Sequence, residues 1–204
     1  MKNGFSKNTR QLVILGLLTA VMLVLSCTPL GYFNAGPLAI TLNVIPVAIA
    51  AVALGPKGGA IIGGVFGLTS FLQCIGIGGT SAMGVICFEI NPVFAFIQRF
   101  VPRVLTGFLA GGIFEILSKR IKVQLACTVS GFLTAFLNTL FFMSALLLLY
   151  GNTDYMKELI GGKNILVFVC TFVGINAVLE MAVSTVITTC VGSALFHANL
   201  IEKN

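Results

Sequence analysis

With 204 residues, of which 57% are hydrophobic and only 9% charged, and a mean hydropathy of +1.06, the chain is excluded from the water-soluble globular class and belongs in a bilayer. Twelve Lys and Arg against six Asp and Glu give a formal net charge of +6. This excess speaks for membrane topology and against a nucleic-acid partner.

Apolar stretches run almost end to end without a charge-rich or Ser/Pro-rich linker, which predicts a single transmembrane domain over residues 1–204. The first helix is expected at 11–27. Lys2, Lys7 and Arg10 precede it in the manner of a signal peptide, but the following "TPLGYFNAG" lacks a small-x-small cleavage site, so it is read as retained. Gly16 and Ala20 form a small-xxx-small pair on this helix, a face that lets another helix approach closely. Residues 28–42 carry no charge, two prolines, Tyr32, Phe33 and Asn34, and are expected to fold back over the bundle.

Helices at 43–54 and 57–74 follow, separated by "GPKGG" (55–59), where Pro56 and the glycines stop one helix and start the next. Gly59, Gly63 and Gly67 recur at steps of four along the second of these, a ridge suited to packing within the subunit. Residues 75–93 hold four glycines in their first ten positions and carry Glu89 and Asn91, which predicts a mobile second lid at the outward mouth. Long helices are expected at 94–117, 123–149 and 166–196. The fold class is therefore an all-α integral membrane protein: a bundle of about six transmembrane helices with loops folded over its outer face.

Eight of the twelve basic residues (Lys2, Lys7, Arg10, Lys57, Lys119, Arg120, Lys122 and Lys203) fall on one side of this topology. That side is expected to be cytoplasmic, with both termini there. Arg99 and Arg103 are different. At 1.5 Å per residue they lie about 8 and 14 Å below the outer end of the fourth helix, and their i, i+4 spacing puts them on one face. Asn138 and Asn176 reach comparable depth on the next two helices, with Glu180 one turn beyond Asn176. A charge facing lipid at mid-depth costs on the order of 3 kcal/mol, so these side chains should converge inward. Two uses follow. Arg103 pairs with Glu180 and the asparagines tie helices together, or two arginines facing one mid-depth carboxylate leave a positive charge for an anionic, hydrogen-bonding ligand. Tyr32, Asn34, Glu89 and Asn91 in the outer loops are further candidates for contact with it.

No phosphate-loop pattern, Ser/His/Asp set or metal-ligand cluster occurs, so neither a catalytic residue, a bound metal nor ATP binding by this chain is expected. The lone His197 sits at the end of the last helix. The six cysteines are scattered in apolar segments; Cys74 and Cys87 flank one loop and are placed to pair if that loop faces an oxidising exterior. A membrane-embedded enzyme would have Cys170 as its only plausible nucleophile, and a solitary proton-coupled transporter would use Glu180 as its relay.

The stretches "T-x-x-x-I-P-V" (41–47), "LGPKGG-x-x-x-G-x-x-FGLTS" (54–70) and "PR-x-L-x-G" (102–107), with the basic N-terminus and the small-residue patch on the first helix, resemble the substrate-binding S component of energy-coupling factor (ECF) vitamin transporters. The resemblance covers nearly the whole chain. It implies a membrane receptor that captures a water-soluble vitamin at its outer face, gated by the loop after the first helix. It also implies a transmembrane scaffold subunit and two cytosolic ATPases as partners, the ATP being used by those subunits, with the face around Gly16 and Ala20 as the docking surface. The "FGLTS" stretch looks most like the pantothenate branch, and an arginine pair suits one carboxylate. Riboflavin, folate and cobalamin stay open, and so does thiamine, although its binders stack the ligand on Trp and this chain has none.

Overall fold

The computed structural model of the chain describes residues 7–28, 31–34, 39–162 and 164–198. Along these run helix α1 (Lys7–Cys27), strands β1 (Tyr32–Asn34) and β2 (Ala39–Thr41), α2 (Val44–Leu72), a 3-10 turn (Gln73–Ile75), α3 (Ala82–Ile90), α4 (Pro92–Ser118), α5 (Val123–Tyr150), α6 (Asp154–Ile160) and α7 (Ile165–His197). By length and apolar composition, five of these helices suffice to cross a bilayer. Their outward positions are apolar, Leu12 being 67% and Leu148 84% exposed, as lipid contact requires.

Five long helices rather than six reflect one feature of α2. At Gly55 the backbone takes φ 70°, ψ −162°, a conformation that costs an L-residue side chain but not glycine, and Pro56 then opens a new helical run. The two halves fold back on each other: a Cβ built on Gly59 would stand 3.3 Å from Ala51 Cα, whereas eight residues along a straight helix span about 12 Å. The expected pair 43–54 and 57–74 is thus present as a helical hairpin. Its two ends meet at one face of the molecule.

The returning half lies against α4 at backbone contact. A Cβ on Gly59 would overlap Gly107 O, one on Gly63 would overlap Arg103 O, and one on Gly67 would meet Phe100 Cα at 2.8 Å. Without side chains between them, the glycine ridge sets the depth and heading of α4 and hence of its arginines. Elsewhere hydroxyls join the helices, as where Ser184 Oγ donates to Gly131 O at 2.9 Å to link α7 with α5. In hydrocarbon no water competes for such bonds.

The described segments between the long helices carry secondary structure of their own. Residues 31–34 and 39–42 contain an antiparallel pairing (Tyr32 with Thr41, Phe33 with Ile40, Asn34 with Ala39), the one strand pairing among the described residues. Within the stretch read as a mobile lid, Ser81 Oγ accepts from Gly84 N and caps a nine-residue helix, α3. That helix is anchored, because Tyr150 Oη at the end of α5 donates to Cys87 O at 3.0 Å. Glycines do carry the linker before it: Gly76, Gly78 and Gly79 all have positive φ. At the opposite end Val52, Phe114, Val123 and Ala126 form a compact apolar cluster, and Lys57, Lys119, Arg120 and Lys122 sit in the adjoining turns.

The glycine contact generates a stability prediction. Gly59→Leu should cost more than about 2 kcal/mol by forcing α2 from α4, seen as lower thermal stability and lost monodispersity in detergent. Gly112→Ala, with nothing within 4 Å of the new Cβ, should leave stability unchanged or raise it by up to about 1 kcal/mol.

Candidate functional site

A cavity of about 610 Å³ opens where the ends of α1 and of both α2 halves meet α4, α5 and α7, within the size range of small-molecule sites. It is lined by Arg99, Arg103, Asn138, Asn176 and Glu180 together. Three helices therefore bring all five mid-depth polar residues to one place. Each is nine-tenths buried or more, with Arg99 and Arg103 6% exposed and Glu180 8%.

The arginines are seated differently. Arg99 Nη1 donates to Ser70 Oγ at 3.4 Å and Nη2 to Ser81 Oγ at 3.3 Å, joining the end of the α2 hairpin to the cap of α3. One turn deeper, Arg103 Nη1 donates to the Arg99 carbonyl at 2.7 Å. Its guanidinium carbon lies 4.4 Å from the centre of the Phe66 ring and 5.3 Å from that of Phe142, and the Arg99 carbon is also 5.3 Å from Phe142. Aromatic faces stabilise a desolvated guanidinium where lipid could not, by about 2 kcal/mol.

Across the cavity, Glu180 Oε1 accepts from Thr41 N–H at 2.7 Å. That bond fastens the last residue of β2, and so the strand pair, to the middle of α7. At the ends of α1 and α2, Gln73 Nε2 donates to Ser26 O at 2.8 Å, and Ser26 Oγ lies 3.1 Å from Thr69 Oγ1, sealing the seam between these helices. Two arginines against one carboxylate leave the described lining with an excess positive charge. In a low-dielectric site that excess favours an anion.

The other expected residues lie elsewhere. Glu89 is exposed on α3 and does not line the cavity. Asn91 caps α4, its Oδ1 accepting from Val93 N and Phe94 N, which accounts for an asparagine before Pro92. Tyr32 and Asn34 belong to β1, but their side chains lie outside the described residues. Gly16 and Ala20 are exposed on the outward face of α1, with nothing within 4 Å of a Cβ on Gly16. Cys74 and Cys87 are both buried as free thiols, and Cys170 is exposed away from the cavity.

Several lining residues escaped the sequence reading: Thr41, Phe66, Ser70, Gln73, Ser81 and Phe142. Ser70 stands in the quoted "FGLTS", and Ser81 two residues after a glycine run with helix-forming residues behind it is a recognisable cap. Phe66 and Phe142 had no distinguishing mark among seventeen phenylalanines.

A family model described as "ECF transporter, substrate-specific component" matches residues 10–192. Among curated proteins, the chain is 30% identical over 200 residues to a pantothenate transporter of Leuconostoc mesenteroides, covering 93% of this chain and 94% of that one. It is 26% identical over 197 residues to a pantothenic acid transporter of Lactococcus lactis, covering 91% and 93%.

Cys87, in the α3 segment behind the Arg99 guanidinium, offers a check on the closure of this wall. Burial pushes its thiol up to about 11, so well under about one in a thousand is thiolate at pH 7.5. N-ethylmaleimide at that pH should leave Cys87 unmodified in the folded protein while modifying exposed Cys27 at the cavity edge, and should label both after denaturation. Peptide mass spectrometry reads the outcome; rapid native labelling of Cys87 would show that α3 does not close the site.

Proposed function

As the chain belongs to the family of ECF transporter substrate-specific components, we propose that it is the high-affinity receptor subunit of an ECF-type ABC importer and that its vitamin is pantothenate. The observation that carries the substrate is the buried, cationic cavity: Arg99 and Arg103 face a single described carboxylate, Glu180, and the site has room for a small ligand bearing one carboxylate and several hydrogen-bonding groups. Both curated relatives described above are pantothenate transporters by name. Asn138, Asn176 and Glu180 supply polar contacts opposite the arginines.

The cavity opens to the outside and both termini are cytoplasmic. Support comes from Arg10 in the first turn of α1 and from Lys57, Lys119, Arg120 and Lys122, which gather at the end remote from the cavity, as cytoplasmic segments do. Energy comes from ATP hydrolysed by two cytosolic partner subunits, through a transmembrane scaffold that docks on the face of α1 carrying Gly16 and Ala20. That face is exposed and without bulky side chains at those positions, so a partner helix can approach its backbone.

Mass spectrometry of small molecules released on denaturing the detergent-purified protein tests the substrate. Pantothenate at near-stoichiometric amount is expected; another vitamin would keep the receptor role and discard this substrate. By calorimetry, Arg103→Ala should weaken pantothenate binding by more than about 2 kcal/mol, whereas Arg120→Ala at the remote face should bind as the wild type does.

A further inference from the structure

The two arginines are not equivalent, and the geometry points to Arg99 as the group that receives the ligand's carboxylate, with the ligand's hydroxyl-bearing end turned toward Glu180. This assignment rests on the pantothenate reading and adds to it an orientation and a division of labour.

Arg99 is the cation whose requirement the described residues meet least. Charge-assisted bonds from guanidinium to an anion run about 2.7–2.9 Å. The two acceptors Arg99 has among the described residues are neutral hydroxyls at 3.4 and 3.3 Å, where Arg103 has a carbonyl at 2.7 Å. No carboxylate of the described residues forms an ion pair with it. A buried charge held only by long bonds to neutral groups is costly unless a ligand completes its shell.

Arg103 is already seated by the chain itself. Its short bond to the Arg99 carbonyl and its place over Phe66 fix the turn of α4 from which Arg99 projects. Arg103 thus acts as a positioning residue for Arg99, besides closing the cavity floor.

Ser70 and Ser81 strengthen the assignment. Ser70 Oγ accepts from Arg99, and Ser81 Oγ accepts both from Arg99 and from Gly84 N, so each hydroxyl proton is left as a donor beside the guanidinium. A carboxylate entering there meets donors only. At the other end, Glu180 would repel a ligand carboxylate across a desolvated gap, yet beyond the Thr41 N–H it can accept from ligand hydroxyls. A molecule with a carboxylate at one end and hydroxyls at the other therefore binds in one direction.

The test compares pantothenate with panthenol, in which a primary alcohol replaces the carboxylate, by calorimetry at neutral pH on wild type and variants. Wild type should prefer pantothenate by at least about tenfold. Arg99→Gln should bring that ratio to within about twofold of unity, Arg99→Lys should keep part of it, and Arg103→Gln should weaken both compounds alike and preserve it. Glu180→Gln should also preserve it. A ratio unchanged in Arg99→Gln, or one that collapses in Arg103→Gln instead, overturns the assignment. So does a wild type that binds both compounds equally, which would leave the pantothenate reading standing. A wild type that binds neither overturns that reading itself. Should Arg99→Gln fail to fold, Arg99→Lys decides: a ratio equal to wild type contradicts a forked carboxylate contact.

Discussion

A guanidinium is costly to bury in hydrocarbon without acceptors or aromatic faces, and this fold is organised around two of them. Arg99 and Arg103 project from one face of α4 into the interior, and every neighbouring element contributes something that makes their burial tolerable. The α2 hairpin supplies Ser70 and the Phe66 ring, α5 supplies Phe142, the linker to α3 supplies Ser81, and α4 supplies the Arg99 carbonyl. Neutral hydroxyls, rings and a carbonyl tolerate a cation without neutralising it. The site keeps its charge, which a fully paired arginine would not.

Packing and site chemistry meet in the glycine ridge. Because Gly59, Gly63 and Gly67 admit α4 to backbone contact, the arginines emerge close to the α2 half that receives them. Because α2 turns back at Gly55, its two ends both reach the cavity, Thr41 just before its first residue and Ser70 just before its last. A straight helix of 29 residues would carry those ends about 40 Å apart. The bend is thus as much a part of the site as the side chains are.

Much of this was legible in the sequence. Hydropathy marked the long helices, the Gly-Pro at 55–56 marked the reversal in α2, and the cost of mid-depth charge singled out the five polar residues that share the cavity. Resemblance in three short motifs indicated the S component family, to which the chain belongs. What escaped depends on distances that no periodicity encodes. Asn91 looked like a loop ligand and is a helix cap, and Glu89, only two residues earlier, faces outward because α3 is a helix instead of a slack lid. Phe66 and Phe142 matter through stacking on guanidinium groups, which sequence shows only as two phenylalanines among many.

The most direct measurement is a structure of the purified protein with pantothenate bound. Density for the carboxylate at about 2.8 Å from the Arg99 guanidinium nitrogens, with the hydroxyls on the Glu180 side, is the predicted result. A vitamin lying in the opposite sense, with its carboxylate beside Asn176 and Arg99 still held only by Ser70 and Ser81, would contradict it.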